Sequence, residues 1–440
     1  MKLSPHAQDI LQGLSQVARS SLDEAFTVPP AIYSDGEIAA LEEERIFKAD
    51  WLCPGLAADI PKPGDYLTYQ VAGQPIFVMR QKDGAIRSFA NVCLHRMMTL
   101  LQDRGCSHRI TCPYHGWTYD TEGKVIGAGY MKGRDPEFDK KGYRLPEVRT
   151  EIWQGWIYVT LDKDAPPVAA LLAELEPEVA RFRLEGYIAI AQQDHLWNTN
   201  WKLLTENFME SYHLPVAHKA TVGAWCPIEE TKFPDQVHDA FSWQTFEKDE
   251  NARYGRAHKD NHHLTGVWRY TSLMPTVFPS HMYVLAPDHM WYLSLSPRGA
   301  QQVHVRFGLA VAPEVHAGLG DDLAKWTADT LAFFDIVNAE DKFVVEGIHR
   351  GSASPLARPG PFSWLEREMF AQLVRPGQIV VEAGANIESC TIQSLQGRFD
   401  AGHDAPDART ALVIDEAAMA SLREDGVVSW PEEADTLVSA

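Results

Sequence analysis

Apolar and polar positions change rhythm along this chain. Between Trp51 and Leu161 they alternate in short runs, Tyr66–Val71, Pro75–Met79 and Ile152–Leu161, separated by Gly, Pro and turn pairs such as Asp83-Gly84. Alternation of this kind, punctuated by turns, predicts a small antiparallel β domain. Asp164-Ala165-Pro166-Pro167 ends it, because paired prolines stop a strand and stiffen a connector. Further on, Val303, Val305, Phe307, Leu309 and Val311 alternate with His304, Arg306, Gly308 and Ala310, which predicts a strand with one buried face. After Pro313 the period lengthens. Val337, Asp341, Val344 and Ile348 fall at i, i+4, i+7 and i+11, one face of a helix that Gly351 can end. The class expected is α+β, divided into an N-terminal helical segment (1–45), a β domain (46–164) and a larger mixed domain (165–440). Residues after about Glu416 look peripheral.

Composition narrows the partners. The chain has 440 residues, 45% of them hydrophobic, enough for two cores. A formal charge of -20 argues against nucleic acid, whose phosphates demand a basic surface. No apolar run reaches the length of a membrane span, and the polar, helix-like stretch Met1–Leu22 lacks a signal-type apolar block, so a cytoplasmic address is expected. Six cysteines in a reducing compartment have little use as disulfides. Those that cluster with histidines are better read as metal ligands.

Two clusters of candidate metal ligands stand out. Cys93-Leu94-His95 is followed, after 16 residues, by Cys112-Pro113-Tyr114-His115. Two thiolates for one iron and two imidazoles for the other are what a Rieske [2Fe–2S] cluster requires, with each pair on its own hairpin loop. Structural zinc in tetrahedral geometry is the rival for the same four groups. Cys106 and His108 form another Cys-x-His pair, but only three residues separate it from Cys112; both are read as bystanders.

The second cluster is Asn207-Phe208-Met209-Glu210-Ser211-Tyr212-His213-Leu214-Pro215-Val216-Ala217-His218. Histidines five apart in a straight helix diverge by roughly 140°, so they would not meet one ion. Pro215 removes a backbone donor and disfavours helix at Leu214, which should distort the chain between the histidines and swing them together. Two histidines and one carboxylate leave positions open for O₂ and substrate, the signature of non-haem Fe(II) oxygenases. Asp341, a carboxylate on an otherwise apolar helix face, is the candidate third ligand, since unpaired burial there is costly. A buried salt bridge or an exposed helix side chain is the alternative.

The flanking residues carry a resemblance. Cys93-Leu94-His95-Arg96 with Cys112-Pro113-Tyr114-His115-Gly116-Trp117, then Trp201-Lys202 through His218, then Asn338-Ala339-Glu340-Asp341 ahead of Gly347 and Arg350-Gly351, closely resemble the oxygenase (alpha) component of Rieske non-haem iron oxygenases. The likeness covers roughly residues 30–395. It implies a small antiparallel Rieske domain and a larger catalytic domain whose antiparallel sheet is flanked by helices. It also implies cluster ligands Cys93, His95, Cys112 and His115, and iron ligands His213, His218 and Asp341. Glu210 stands where ring-hydroxylating dioxygenases usually carry Asp, a residue thought to bridge a cluster histidine of one subunit to an iron histidine of its neighbour. Glu there is similar to oxygenases acting on quaternary ammonium compounds such as choline, glycine betaine and carnitine.

From the resemblance follow a homotrimer with no further subunit required, a flavin-dependent reductase drawing on NAD(P)H, with or without a ferredoxin, and a small organic substrate with O₂. The chain shows no Gly-rich dinucleotide fingerprint of its own. Glu210 should accept a hydrogen from a ring nitrogen of His213, and Asn207 is a candidate for the entrance near the iron, with a plain helix-surface amide as its alternative. Tyr212 has a minor role. Trp225, Trp268, Tyr270, Phe278, Trp291 and Tyr292 are candidates for a pocket wall able to hold a methylammonium group, or else for core. The expected reaction is monooxygenation, by C–H hydroxylation or oxidative N-dealkylation. The alternatives are cis-dihydroxylation of an aromatic ring, a Rieske electron-transfer protein, and a zinc-stabilised binding module.

Overall fold

The computed structural model describes residues 3–369 apart from 19, 22–23, 25, 134, 225, 227, 229–230, 236–237 and 251–254. Trp225 and the stretch after Glu416 lie outside the described residues. The N-terminal part forms helices α1 (Pro5–Ala18) and α2 (Gly36–Glu42), the second started by Asp35, whose carboxylate accepts from the Glu37 and Ile38 amides. Then come β1 (Leu52–Leu56), β2 (Asp65–Val71), β3 (Gln74–Arg80), β4 (Ile86–Ala90), β5 (Arg104–Cys106), β6 (Ile110–Thr111), β7 (Thr118–Tyr119), β8 (Val125–Gly127), β9 (Glu147–Trp153) and β10 (Trp156–Thr160). Short helices α3 (Val168–Leu171) and α4 (Glu176–Ala180) follow the paired prolines. The remainder comprises β11 (Ile188–Trp197), α5 (Trp201–Phe208), α6 (Leu214–Ala217), β12 (Phe241–Glu247), β13 (Thr271–Val277), β14 (His281–Leu285), β15 (His289–Arg298), β16 (Gln302–Val311), α7 (Pro313–Leu319) and α8 (Leu323–Ser352).

These strands make three antiparallel sheets: seven strands in the order β1-β10-β9-β4-β3-β2-β5, three in the order β6-β7-β8, and six in the order β11-β16-β15-β14-β13-β12. The small sheet encloses a core of Phe77, Phe89, Leu100, Ile110, Trp117, Tyr119 and Leu145 beside Cys93 and Cys112. One face of the six-stranded sheet, with Met282, Leu293, Val305, Phe307 and Leu309, packs with Leu203, Leu204 and Phe208 of α5 and Phe334 of α8. The opposite face, with Tyr283, Leu285, Met290, Tyr292 and Ala310, packs with Trp156 and Tyr158 of the seven-stranded sheet, with Trp51 just before it, and with Val168 and Val179.

That second interface corrects the expectation for β16. Alternation suggested one buried face, yet Arg306, Gly308 and Ala310 are buried as well as their apolar neighbours. Arg306, 4% exposed, donates to Asp194 at 2.9 Å and to the carbonyls of Pro54 and Thr68, both at 3.1 Å. Its polar side therefore contacts the other sheet instead of water. Gly308 faces Tyr292 across the ladder, and a Cβ there would lie 2.0 Å from the Tyr292 ring, so only glycine lets the ring pass. Although burial opposes it, hydrogen bonds and charge from His304 and Arg306 hold the Asp194 carboxyl well below its usual range.

The N-terminal segment is fastened to α5 by a buried polar network. Glu42 accepts from Lys202 at 2.6 Å and from the Trp201 indole at 2.9 Å, and the Tyr33 hydroxyl donates to Glu206 at 2.8 Å. Burial pushes the Glu206 carboxyl up to about 8.

Two outcomes test this packing. Replacing Arg306 by Leu leaves two backbone carbonyls without their donor and Asp194 with His304 alone, so unfolding free energy should fall by about 3 kcal/mol, read as a lowered calorimetric midpoint. His281, 1% exposed and 2.9 Å from the Tyr158 hydroxyl, is pushed down to about 3 by burial from an ordinary 6.5. The unfolded chain then binds a proton that the folded chain refuses. This share of stability is present above pH 6.5 and is lost as pH falls toward 3, with a slope of up to ~1.4 kcal/mol per pH unit. His281→Phe should make the acid limb of a stability profile correspondingly shallower.

Candidate functional site

The two Cys/His pairs occupy two loops with the same turn. The Cys93 amide donates to the Met98 carbonyl at 2.8 Å and its carbonyl accepts from Met97; the Cys112 amide donates to Trp117 at 2.8 Å and its carbonyl accepts from Gly116. Met97 and Gly116, four residues after each cysteine, both have positive φ, 52° and 71°. Each cysteine is 2% exposed, whereas His95 and His115 are exposed with ring centroids 4.6 Å apart. The thiol side faces the small core and the imidazole side faces outward.

Tyr119 supports the thiol side. Its hydroxyl oxygen accepts from the Leu94 amide at 3.0 Å and lies 3.3 Å from the Cys93 sulfur, so its proton is directed at that sulfur when the sulfur is ionised. Burial opposes ionisation of Cys93, but bonds from Tyr119, the His95 amide and the Cys112 side chain hold its thiol below the ordinary value. Although His115 is exposed, partial desolvation in its loop, then the charges of His95 and Arg96, push its pKa down and favour the neutral imidazole. Cys106 and His108 lie apart from this group: Cys106 is exposed on β5 with its sulfur toward the Pro63 carbonyl, and His108 packs against Gly64.

The second cluster forms where α5 ends. Asn200 caps α5 by accepting from the Lys202 amide, and the helix stops at Phe208. The chain then breaks over residues 209–212, and α6 starts with His213 as N-cap and Pro215 in its first turn. This corrects the expected kink between the histidines. The break precedes His213, Leu214 is helical, and Pro215 opens the new turn, where its missing N–H costs nothing. His213 and His218 bracket one short helix with ring centroids 5.1 Å apart.

Asp341 reaches this pair from α8. Its Oδ1 lies 2.9 Å from His218 Nε2 and 3.7 Å from His213 Nε2, and ligand atoms of the three residues lie within 4.8 Å of one another. The outer nitrogens are also engaged. Glu210 Oε1 is 2.5 Å from His213 Nδ1, while its Oε2 accepts from the His213 amide at 3.1 Å. Glu340 Oε2 is 2.8 Å from His218 Nδ1 and accepts from the Thr221 hydroxyl at 2.6 Å. Burial lowers the His218 pKa, but Asp341 and Glu340 outweigh it and raise it overall. Sequence reasoning missed Glu340 and Thr221. A second acid directly beside Asp341 was the available signal, but neighbours on a helix point about 100° apart, so adjacency alone did not place it at the same ring.

Asn207 is buried in α5 one turn before Glu210, at 8% exposure, and is not the helix-surface amide weighed as its alternative. Tyr212 points outward at 58%. Of the aromatic candidates, Trp291 packs on Phe208 and Phe334 and Phe278 on Trp201, close to α5 and α8. Trp268 instead lies under Arg181 and against Phe182, and Tyr270 is half-buried just before β13. Tyr292 is core, its hydroxyl donating to Asp59 at 2.7 Å.

Two thiols with two neutral imidazoles suit a Rieske cluster. Two imidazole nitrogens converging on one carboxylate, each ring backed by a further carboxylate, suit an open-sided Fe(II) site. An iron–sulfur domain joined to a separate iron-binding domain defines an oxygenase. The sequence comparisons agree: residues 50–140 match the Rieske [2Fe-2S] domain family and residues 177–375 the catalytic domain of the ring hydroxylating alpha subunit. The glycine betaine monooxygenase oxygenase subunit of Pseudomonas aeruginosa is 27% identical over 375 residues, 78% of this chain and 86% of that protein. Two solved structures share the fold at 22% identity. A quaternary ammonium Rieske monooxygenase superposes with TM-score 0.67 over 84% of this chain and 96% of its own, and naphthalene 1,2-dioxygenase from Rhodococcus with 0.71 over 85% and 98%.

The chain belongs to the Rieske non-haem iron oxygenases and is the terminal oxygenase of such a system, using a [2Fe–2S] cluster and a mononuclear iron. The readings as a lone electron carrier or a zinc module are set aside by the catalytic domain and the Rieske match. Among the described residues, no helix is long and apolar enough to cross a membrane.

Tyr119 gives a test of the cluster loops. Tyr119→Phe removes the hydrogen bond aimed at Cys93; with Cys93 as a candidate cluster ligand, loss of that donor should lower the reduction potential. Protein-film voltammetry should show the shift with the absorption spectrum otherwise intact.

Proposed function

We propose that this oxygenase inserts one oxygen atom into a C–H bond of a small organic substrate, and that the bond belongs to an N-methyl carbon of a quaternary or tertiary amine. Dioxygen, two electrons and two protons give the N-hydroxymethyl product and water, and this collapses by C–N cleavage to the dealkylated amine and formaldehyde, with release of a proton when the substrate is quaternary. The observation that carries this reading is Glu210 clasping His213 at 2.5 Å in the place where ring-hydroxylating relatives carry Asp. The match over 78% of this chain to a glycine betaine monooxygenase subunit supports it, as do Trp291 and Phe278 beside α5 and α8, whose ring faces suit a methylammonium group. Cis-dihydroxylation of an aromatic ring is the second reading, favoured by the fold shared with naphthalene 1,2-dioxygenase.

In this proposal Cys93, His95, Cys112 and His115, within a domain at 46–164, hold the cluster. His213, His218 and Asp341, within 165–440, hold the iron, which when bound supplies O₂ activation. The protein's own groups orient and shield. Glu210 fixes the Nδ1–H tautomer of His213, leaving Nε2 for metal. Buried Asn207 sits one turn from Glu210 and contributes an amide toward the entrance.

Electrons come from NAD(P)H through a flavin-dependent reductase, with or without a ferredoxin. The exposed rings of His95 and His115, ringed by Leu94, Met97, Met98 and Tyr114 at 36%, 78%, 38% and 52% exposure, suit docking against a second copy. Carnitine oxidation and inter-subunit electron transfer are described for the solved quaternary ammonium monooxygenase, and we propose a homotrimer in the cytoplasm in which Glu210 meets a neighbour's cluster histidine.

Anaerobically purified protein should hold about three irons per chain and give a rhombic EPR signal on reduction; Asp341→Ala should keep the signal and hold about two. With a surrogate reductase and NADH, glycine betaine, carnitine and choline should be screened for formaldehyde and dealkylated amine. Stoichiometric formaldehyde from one of them supports the proposal, whereas a cis-diol from an aromatic substrate and no aldehyde from any amine transfers support to the second reading.

A further inference from the structure

We infer that Glu340 is a positioning residue for the iron site, holding His218 in the tautomer and ring orientation that aim Nε2 at Asp341, with Thr221 as its support. The inference rests on the proposed ligand set. Glu340 and Asp341 are consecutive on α8, yet both reach one imidazole, Glu340 Oε2 at 2.8 Å from Nδ1 and Asp341 Oδ1 at 2.9 Å from Nε2. A carboxylate can only accept, so an ionised Glu340 requires the hydrogen on Nδ1 and leaves the Nε2 lone pair for metal. A half-turn of the ring about χ2 would put a carbon opposite Glu340 and forfeit that bond.

The alternative is an ordinary helix acid that happens to lie near a histidine. Three observations weigh against it. Thr221 donates to the same oxygen at 2.6 Å, which fixes the carboxylate from its other side. The Thr221 amide in turn donates to the His218 carbonyl at 2.9 Å, so ring, turn and helix close a loop of contacts. His218 itself is 1% exposed, where an imidazole without a partner on Nδ1 would be costly.

Glu340 differs from Glu210 in what it fastens. Glu210 clasps His213 from three residues away, with one oxygen on the ring and the other on the backbone amide. That clasp orients a ring but carries no tertiary information. Glu340 comes from α8, more than a hundred residues further along, and joins the ligand-bearing turn to the helix that supplies the third ligand. A rotation of α8 that misplaced Asp341 would break both contacts at once.

The test uses the full-length, cluster-loaded protein with its mononuclear iron removed, comparing parent, Glu340→Gln, Glu340→Ala and Thr221→Val, with Asp341→Ala as control. Fe(II) affinity is measured by chelator competition, and the site is probed independently by the visible spectrum of added Co(II). Affinity should fall about 10- to 100-fold in both Glu340 variants, with a changed Co(II) band pattern and an unaltered cluster spectrum. Thr221→Val leaves every charge in place and should lose affinity several-fold, which keeps the question answerable if a Glu340 variant fails to accumulate. Parental affinity and parental Co(II) bands in either Glu340 variant, or in Thr221→Val, overturn the inference. Parental affinity in Asp341→Ala would instead overturn the ligand set on which it rests.

Discussion

One long helix held in register is the constraint on which this molecule's chemistry depends. His213 and His218 are brought together locally, but Asp341 must arrive from far along the chain on α8 and point at the same small volume. α8 is pinned at the junction of β11 and α5: the Thr199 hydroxyl donates to the Val345 carbonyl at 3.0 Å, and the Asn198 amide donates to Glu346 at 2.9 Å. Both anchors lie within about a turn and a half of Asp341. Phe334 packs into the core on the sheet, and His349 bonds Gln301 at 2.9 Å, so the helix is fixed on either side of the carboxylate.

The proposed metal sites are made by opposite strategies. The cluster loops are local: two turns with the same backbone pattern, each closing on itself, mounted on a small core that buries the sulfurs and presents the imidazoles. The iron site is assembled over long range and would be displaced by any sliding of helix on sheet. What ties the two halves is again a buried polar contact, the Arg306 guanidinium reaching Asp194 and the carbonyls of Pro54 and Thr68. Directional hydrogen bonds define one docking geometry, where an apolar interface alone would tolerate several.

This difference explains what the sequence disclosed. The cluster loops were legible because their chemistry is contiguous: Cys93 to His95 and Cys112 to His115 need only short turns to converge. The helix bearing Asp341 was legible from its 3.6-residue period, and a lone acid on that face marked the ligand candidate, although the buried stripe runs through Phe334, Val337, Val345 and His349 and leaves Ile348 exposed. The two faces of β16 were not, because Arg306 and His304 read as solvent-facing when they bond to Asp194 and the neighbouring sheet. Polar alternation reports chemistry, not whether the partner is water or protein. The position of the helix break was missed for a related reason: Pro215 was given the role of distorting a helix, whereas proline is equally at home starting one.

The break before His213 bears on why Glu is suited to position 210. Had α5 continued, Glu210 and His213 would share one face of a regular helix with their side chains running parallel. Because the chain leaves the helix after Phe208, Glu210 turns back onto the start of α6, one oxygen on the His213 ring and the other on its amide. The extra methylene relative to Asp gives the reach for this double grip from outside the helix. Each carboxylate oxygen still has a second lone pair, so the grip leaves an acceptor free for a histidine N–H from another molecule. In the proposed trimer that acceptor joins the outward-facing imidazoles of one chain to the histidine pair at the mononuclear iron site of the next, so the hydrogen bond that orients His213 also lies on the electron route.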